Sequence, residues 1–130
     1  MNFLIDYNLR GQAALLWGTI AARGWLELMP IRFIGFEKVG LVENSNDQQV
    51  WQAAQSNQMI ILTANRNMKG DGSLEQVIRE NNTTTSLPVV TIGNKERLDE
   101  QNYRERCASR LVEILLDIDN YRGVGRIYIP

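Results

Sequence analysis

The chain has 130 residues, 44% of them hydrophobic, and a net charge of −1 from 14 basic and 15 acidic side chains. That length is close to the commonest size of one domain and can bury a core without staples, and the composition excludes a disordered chain. The balanced charge excludes a molecule-wide basic field, so any contact with nucleic acid must be local.

Phe3 to Ile5 form a short apolar run ended by Asp6 and read as a buried first strand. A helix follows over roughly residues 11–23, with Ala14, Leu15, Trp17, Ala21 and Ala22 among its apolar positions and Gly24 as its stop. "WLELM" alternates and reads as a second strand, ended by Pro30. Residues 31–44 fit an extended loop, a short hairpin or a third strand. Phe33, Ile34 and Phe36 there need covering, by the core or by a dimer or partner contact, with the core favoured. Ser45 to Gln48 has capping-box spacing and opens a helix to about Ser56, with Val50, Trp51, Ala53 and Ala54 apolar. "MIILT" is the next strand. Ser73 to Gln76 repeats the capping spacing and opens a helix to about Glu80. "LPVVTIG" is a strand whose Pro88 fits only at its start or edge. A long helix covers roughly residues 99–118, with Tyr103, Cys107, Leu111, Ile114, Leu115 and Ile118 on one stripe. Gly123 and Gly125 mark a turn, and "RIYI" closes as a last strand. Strands alternating with helices predict an α/β fold, a three-layer α/β/α sandwich with a mostly parallel central sheet, in one domain over residues 1–130.

The residue inventory narrows the chemistry. There is no histidine, which excludes Ser-His and Cys-His catalysis and makes a zinc enzyme a poor fit. Cys107 is the one cysteine, so no internal disulfide forms, and its place on the apolar stripe makes it a small core residue. Eleven of the bases are Arg, which suits phosphate or carboxylate contacts, although surface ion pairing is the commoner use. The first residues carry an acid and no basic leader, unlike a signal peptide, and no apolar run approaches the ~20 residues of a membrane span. The expectation is a soluble, cytoplasmic protein.

Sites in open parallel sheets form beyond the carboxyl ends of the strands. Asp6 and Asn8 follow the first strand, Asp47 lies in a first helical turn, and Asn65, Arg66 and Asn67 follow "MIILT", with Asp71 and Glu75 beyond. Acids gathered at one sheet edge suit Mg²⁺ or Mn²⁺, which take oxygen ligands and can activate water for phosphodiester hydrolysis. Each also has an ordinary use. Asp47 and Glu75 suit the helix dipole, and Asn65 and Asn67 suit a turn. Asp6 stands apart, since a carboxylate straight after a buried strand is costly without a partner.

"FLIDYNL", then "SNDQQVWQAA", then "MIILTANRNM" resemble the small bacterial PIN-like nuclease domains, over about residues 2–68. Those begin with a pattern like FLLDENL, continue with a helix start of the form SD-x-x-V, and carry a strand ending T-x-D-x-D-F. The resemblance implies an α/β/α sandwich, metal-dependent RNase chemistry and often the role of toxin in a toxin–antitoxin pair. That makes RNA, a cognate antitoxin protein and a homodimer the implied partners, and Mg or Mn the implied cofactor. It places Asp6 and Asp47 as catalytic metal ligands. Asn65 matches a family aspartate and is carried over as a neutral ligand, with Asp71 or Glu75 assisting. Asn8, Arg10, Arg66 and Asn67 fall on the substrate side. Asn65 and Asn67 stand where the family has Asp, and Met68 where it has Phe, so the site carries up to two fewer negative charges. Two readings follow: a ribonuclease, or a PIN-like domain with reduced or lost catalysis that binds RNA or a protein. A nucleotide-binding Rossmann-like protein fits poorly, because no G-x-G-x-x-G or P-loop follows a strand.

Overall fold

The computed structural model of the protein describes residues 1–65 and 72–130. Its centre is a sheet of five parallel strands: β1 (Asn2–Ile5), β2 (Arg32–Ile34), β3 (Met59–Thr63), β4 (Val89–Ile92) and β5 (Arg126–Ile129), in the order β2-β1-β3-β4-β5. Parallel sheets are covered on both faces, which is why β3 and β4 are buried along their whole length. The period of two sorts their side chains. Phe3, Ile5, Ile60, Leu62, Val90, Ile92, Ile127 and Ile129 face one layer, and Leu4, Met59, Ile61 and Val89 the other. The register Phe3↔Ile60 and Leu4↔Ile61 keeps both sets in step across the two central strands.

The first layer holds α1 (Arg10–Ala22) and α5 (Gln101–Leu116), and the second holds α3 (Asp47–Ser56) and α4 (Leu74–Asn81). The expected α/β/α sandwich is therefore present. Truncating a fully buried side chain at its centre, such as Leu62→Ala, would cost about 2–5 kcal/mol. One connection departs from the usual pattern. α1 and α5 lie on the same face, yet β1 to β2 and β4 to β5 step across the sheet in opposite directions. The last crossover thus has the opposite hand to the others, against the strong right-handed preference. A 3-10 turn at Lys95–Asp99, whose Leu98 is buried against α1's layer, carries the chain there.

Several expected elements are corrected. "WLELM" is no strand: α2 (Trp25–Leu28) is a single helical turn entered from Gly24 at φ +77°. Alternation over five residues does not separate a strand from one amphipathic turn. The adjacent strand falls later, at β2, where Phe33 packs against Phe3 and Trp17. Phe36 is buried and Ile34 packs beside it, so the apolar stretch is core. On α1 the buried residues are Ala13, Leu16 and Ile20, whereas Ala14, Leu15, Ala21 and Ala22 are exposed. The first capping box is shifted by one. Asn46 is the N-cap: the Gln49 N–H donates to its Oδ1 at 2.8 Å, and its own N–H donates to Gln49 Oε1 at 2.9 Å. Ser45 instead closes a turn on Val42. Ser73 does cap α4, but Gln76 accepts from the Gly72 N–H and leaves that of Ser73. The long helix is shorter than expected, with 3-10 turns at both ends. Among the described residues no helix is long and apolar enough to cross a membrane.

Candidate functional site

The strand order reverses at β1, with β2 on one side and β3 on the other. A crevice opens beyond the carboxyl ends of strands at such a switch point. Here it is a cavity of about 680 Å³ whose wall includes Asp6, Asn8, Asp47, Thr63, Asn65 and Lys95. Its described wall also carries Glu43 and Glu96, which makes four acids against one lysine.

Asp6 is held by the sheet itself. Its N–H still pairs with Leu62 O at 3.0 Å, continuing the ladder, so the side chain leaves at a fixed point. The buried Thr63 hydroxyl donates to Asp6 Oδ2 at 2.7 Å and accepts from the Asn65 N–H at 2.9 Å. This relay is the partner that a carboxylate after a buried strand requires. It also uses the turn after β3 to orient the acid at the end of β1.

Asp47 arrives from the opposite layer, as the first residue of α3. The Asn65 amide lies 3.5 Å from both its carboxylate oxygens, at the long limit of a hydrogen bond. The Asp47 carboxyl is nevertheless pushed above the usual carboxylate range. Burial is the first cause and the negative charge of Asp6 the second; Asn65, the Arg126 charge and the Leu74 N–H act against them. The Asp6 carboxylate is thus near enough to raise the proton affinity of Asp47.

Behind this pair lies a charge that the sequence did not flag. The side chain of Arg126, the first residue of β5, is only 6% exposed. It donates to Asn65 O at 2.7 Å, to Thr91 Oγ1 at 2.8 Å and to Glu75 Oε2 at 3.2 Å. Its Nη2 is buried without a partner among the described residues. Glu75 is thereby paired with Arg126. Asn65 is the joint between the two clusters, with its side chain on Asp47 and its carbonyl on Arg126.

The other expected residues divide as follows. Asn8 lies on the cavity wall in a 3-10 turn, and Arg10 is exposed, its guanidinium stacked 3.5 Å from the centre of the Tyr7 ring. Arg66, Asn67 and Asp71 lie outside the described residues. Among the described residues, no three acidic, cysteine or histidine side chains gather as a metal cluster. A hard cation here would rest on Asp6 and Asp47 with waters, a donor set of the kind Mg²⁺ accepts. Asn65 presents its NH₂ to Asp47, so its amide must turn over before the carbonyl oxygen can ligate. Sequence reasoning missed Thr63, Lys95 and Arg126. Thr63 and Lys95 sit at or just past the carboxyl ends of β3 and β4, where the same rule that found Asp6 would have found them.

Fold and site together define an α/β/α sandwich with an acidic cavity at the switch point of a parallel sheet. No family model, curated protein or solved structure matches the chain.

Proposed function

We propose that the protein is a PIN-like Mg²⁺- or Mn²⁺-dependent ribonuclease whose catalysis is weakened by the neutral Asn65. The observation that carries this reading is the convergence of Asp6, from the sheet, and Asp47, from α3, onto one cavity, near enough for one charge to raise the other's proton affinity. A cation held there would supply a water of lowered pKa for phosphodiester hydrolysis. Asp6 and Asp47 would fix the ion, and Thr63 would fix Asp6. The Arg126 charge and the Asn65 amide both reduce the pull on a cation compared with a site of three acids. The same resemblance supplies the role of toxin with a cognate antitoxin.

A second reading, a non-catalytic module that binds RNA or a protein, draws on one observation: the Asn65 amide already supplies Asp47 with a partner that needs no metal. Cleavage of RNA in Mn²⁺ separates the two. The nuclease reading expects metal-dependent cleavage that falls at least about 100-fold in Asp6→Asn, no less than the loss of a mere supporting partner of a metal ligand costs. Cleavage that ignores this substitution, or none in either protein, leaves the binding module.

A further inference from the structure

A strand of nucleic acid meets a difficulty at this cavity, because four of its charged wall residues are acids and repel phosphate. One divalent ion offsets two of those charges at most. Whatever seats a strand beside the acids must therefore supply positive charge within reach of them.

Two side chains lie at this edge, Lys95 on the cavity wall and Arg10 on the neighbouring Tyr7. Lys95, just past β4, reaches across the cavity mouth, and its Nζ donates to Asn8 O at 3.3 Å. Arg10 donates from Nε to Tyr7 O at 2.8 Å. Two cations from distant parts of the chain thus converge on consecutive carbonyls of the turn that follows Asp6. Arg10 is also prepared in orientation. Its guanidinium carbon sits 3.5 Å over the centre of the Tyr7 ring, and Tyr7 packs on Phe36 behind. The inner face of the guanidinium is covered and the residue is exposed, so its outer face is a planar cation open to solvent. A guanidinium plane stacks an unpaired base, whereas a base inside a duplex has no free face to offer.

We propose that Arg10 and Lys95 form the strand-binding lip of this cavity, taking a single-stranded nucleic acid with a base stacked on Arg10 and an adjoining phosphate on Lys95. The proposal rests on the ribonuclease reading for the identity of the ligand, but the lip needs neither metal nor cleavage to bind.

The test uses this independence. Binding of a fluorescent single-stranded RNA of about 12 nucleotides is followed by anisotropy in EDTA, in an Asp6→Asn/Asp47→Asn background that neutralises the two acids without a metal. Lys95→Gln and Arg10→Gln should each weaken binding several-fold, and Lys95→Gln, which loses the phosphate contact, should also lower the slope of log affinity against log salt by about 0.7, the share of one phosphate contact on a single strand. Lys95→Arg should restore binding. Arg23→Gln, on another part of the surface, should change nothing, and the same sequence as a duplex should bind more weakly. Lip variants that bind like their parent, a duplex that binds as tightly, or a parent that does not bind RNA would each overturn the proposal. RNA that binds through the lip while the unsubstituted protein leaves it uncut in Mn²⁺ would keep the lip and remove the nuclease reading.

Discussion

Two clusters of charge meet at Asn65, and they are built in opposite ways. On one side Asp6 and Asp47 are like charges on the wall of a solvent-filled cavity, with one carboxyl forced above its ordinary range. On the other, Arg126 is buried and bound to Glu75, Thr91 and the Asn65 carbonyl. A charge with its partners in place contributes to the fold and has little left to offer a ligand. A charge whose nearest charged neighbour repels it stays available. The contrast separates a structural ion pair from a candidate site more firmly than residue type does, since acids occur in both.

Three substitutions test the contrast, beginning with the buried side. Arg126→Met removes three hydrogen bonds and strands Glu75. It should lower the unfolding free energy by about 3 kcal/mol, the lower end of the range for breaking a buried pair, because Glu75 keeps some contact with water. Urea denaturation measures it, and a loss under about 1 kcal/mol would show that Arg126 is not structural. Asn65→Asp sets a third carboxylate against Asp47 and should tighten Mn²⁺ about tenfold, close to 1.4 kcal/mol, by titration calorimetry. Unchanged affinity would place the ion, or the residue, elsewhere.

Asp47→Asn has the smallest effect, and its sign is the informative part. A carboxyl whose folded pKa is raised binds its proton more tightly in the folded state. Asp47 therefore costs stability when ionised, and the cost is relieved as pH falls through its raised pKa. The variant should be more stable than the parent at pH 7, and the difference should shrink toward the ordinary value of 3.8. Mn²⁺ should erase it in the other direction by stabilising only the parent. Thermal melts at several pH values read both. A variant less stable at pH 7 would mean that the hydrogen bonds to Asp47 outweigh its burial and its repulsion by Asp6.

Sequence and structure agree best where the physics is local. Apolar runs at Phe3 to Ile5, Met59 to Thr63 and Val89 to Ile92 became strands, because four or five such residues between polar turns have few other uses. The buried face of α1 is not legible in the sequence, since apolar residues run all round "AALLWGTIAA" and the pattern selects no side. Asp6 and Asp47 were legible as candidates because each follows a clear boundary. Arg126 was not, because its partners lie 35, 51 and 61 residues away and no short window contains them. An arginine heading an otherwise apolar strand was the one available signal.

Those separations bear on how the cavity forms. The Thr63–Asp6 bond spans 57 residues and the Arg126–Asn65 bond 61. Closing loops of that length is entropically unfavourable until many other contacts form with them. Local unfolding that frays one helix leaves such bonds in place, and a partly folded chain has none of them. The acidic corner is therefore assembled in the same cooperative step as the central strands. In hydrogen exchange the amides of Asp6 and Asn65 should open only with the whole sheet.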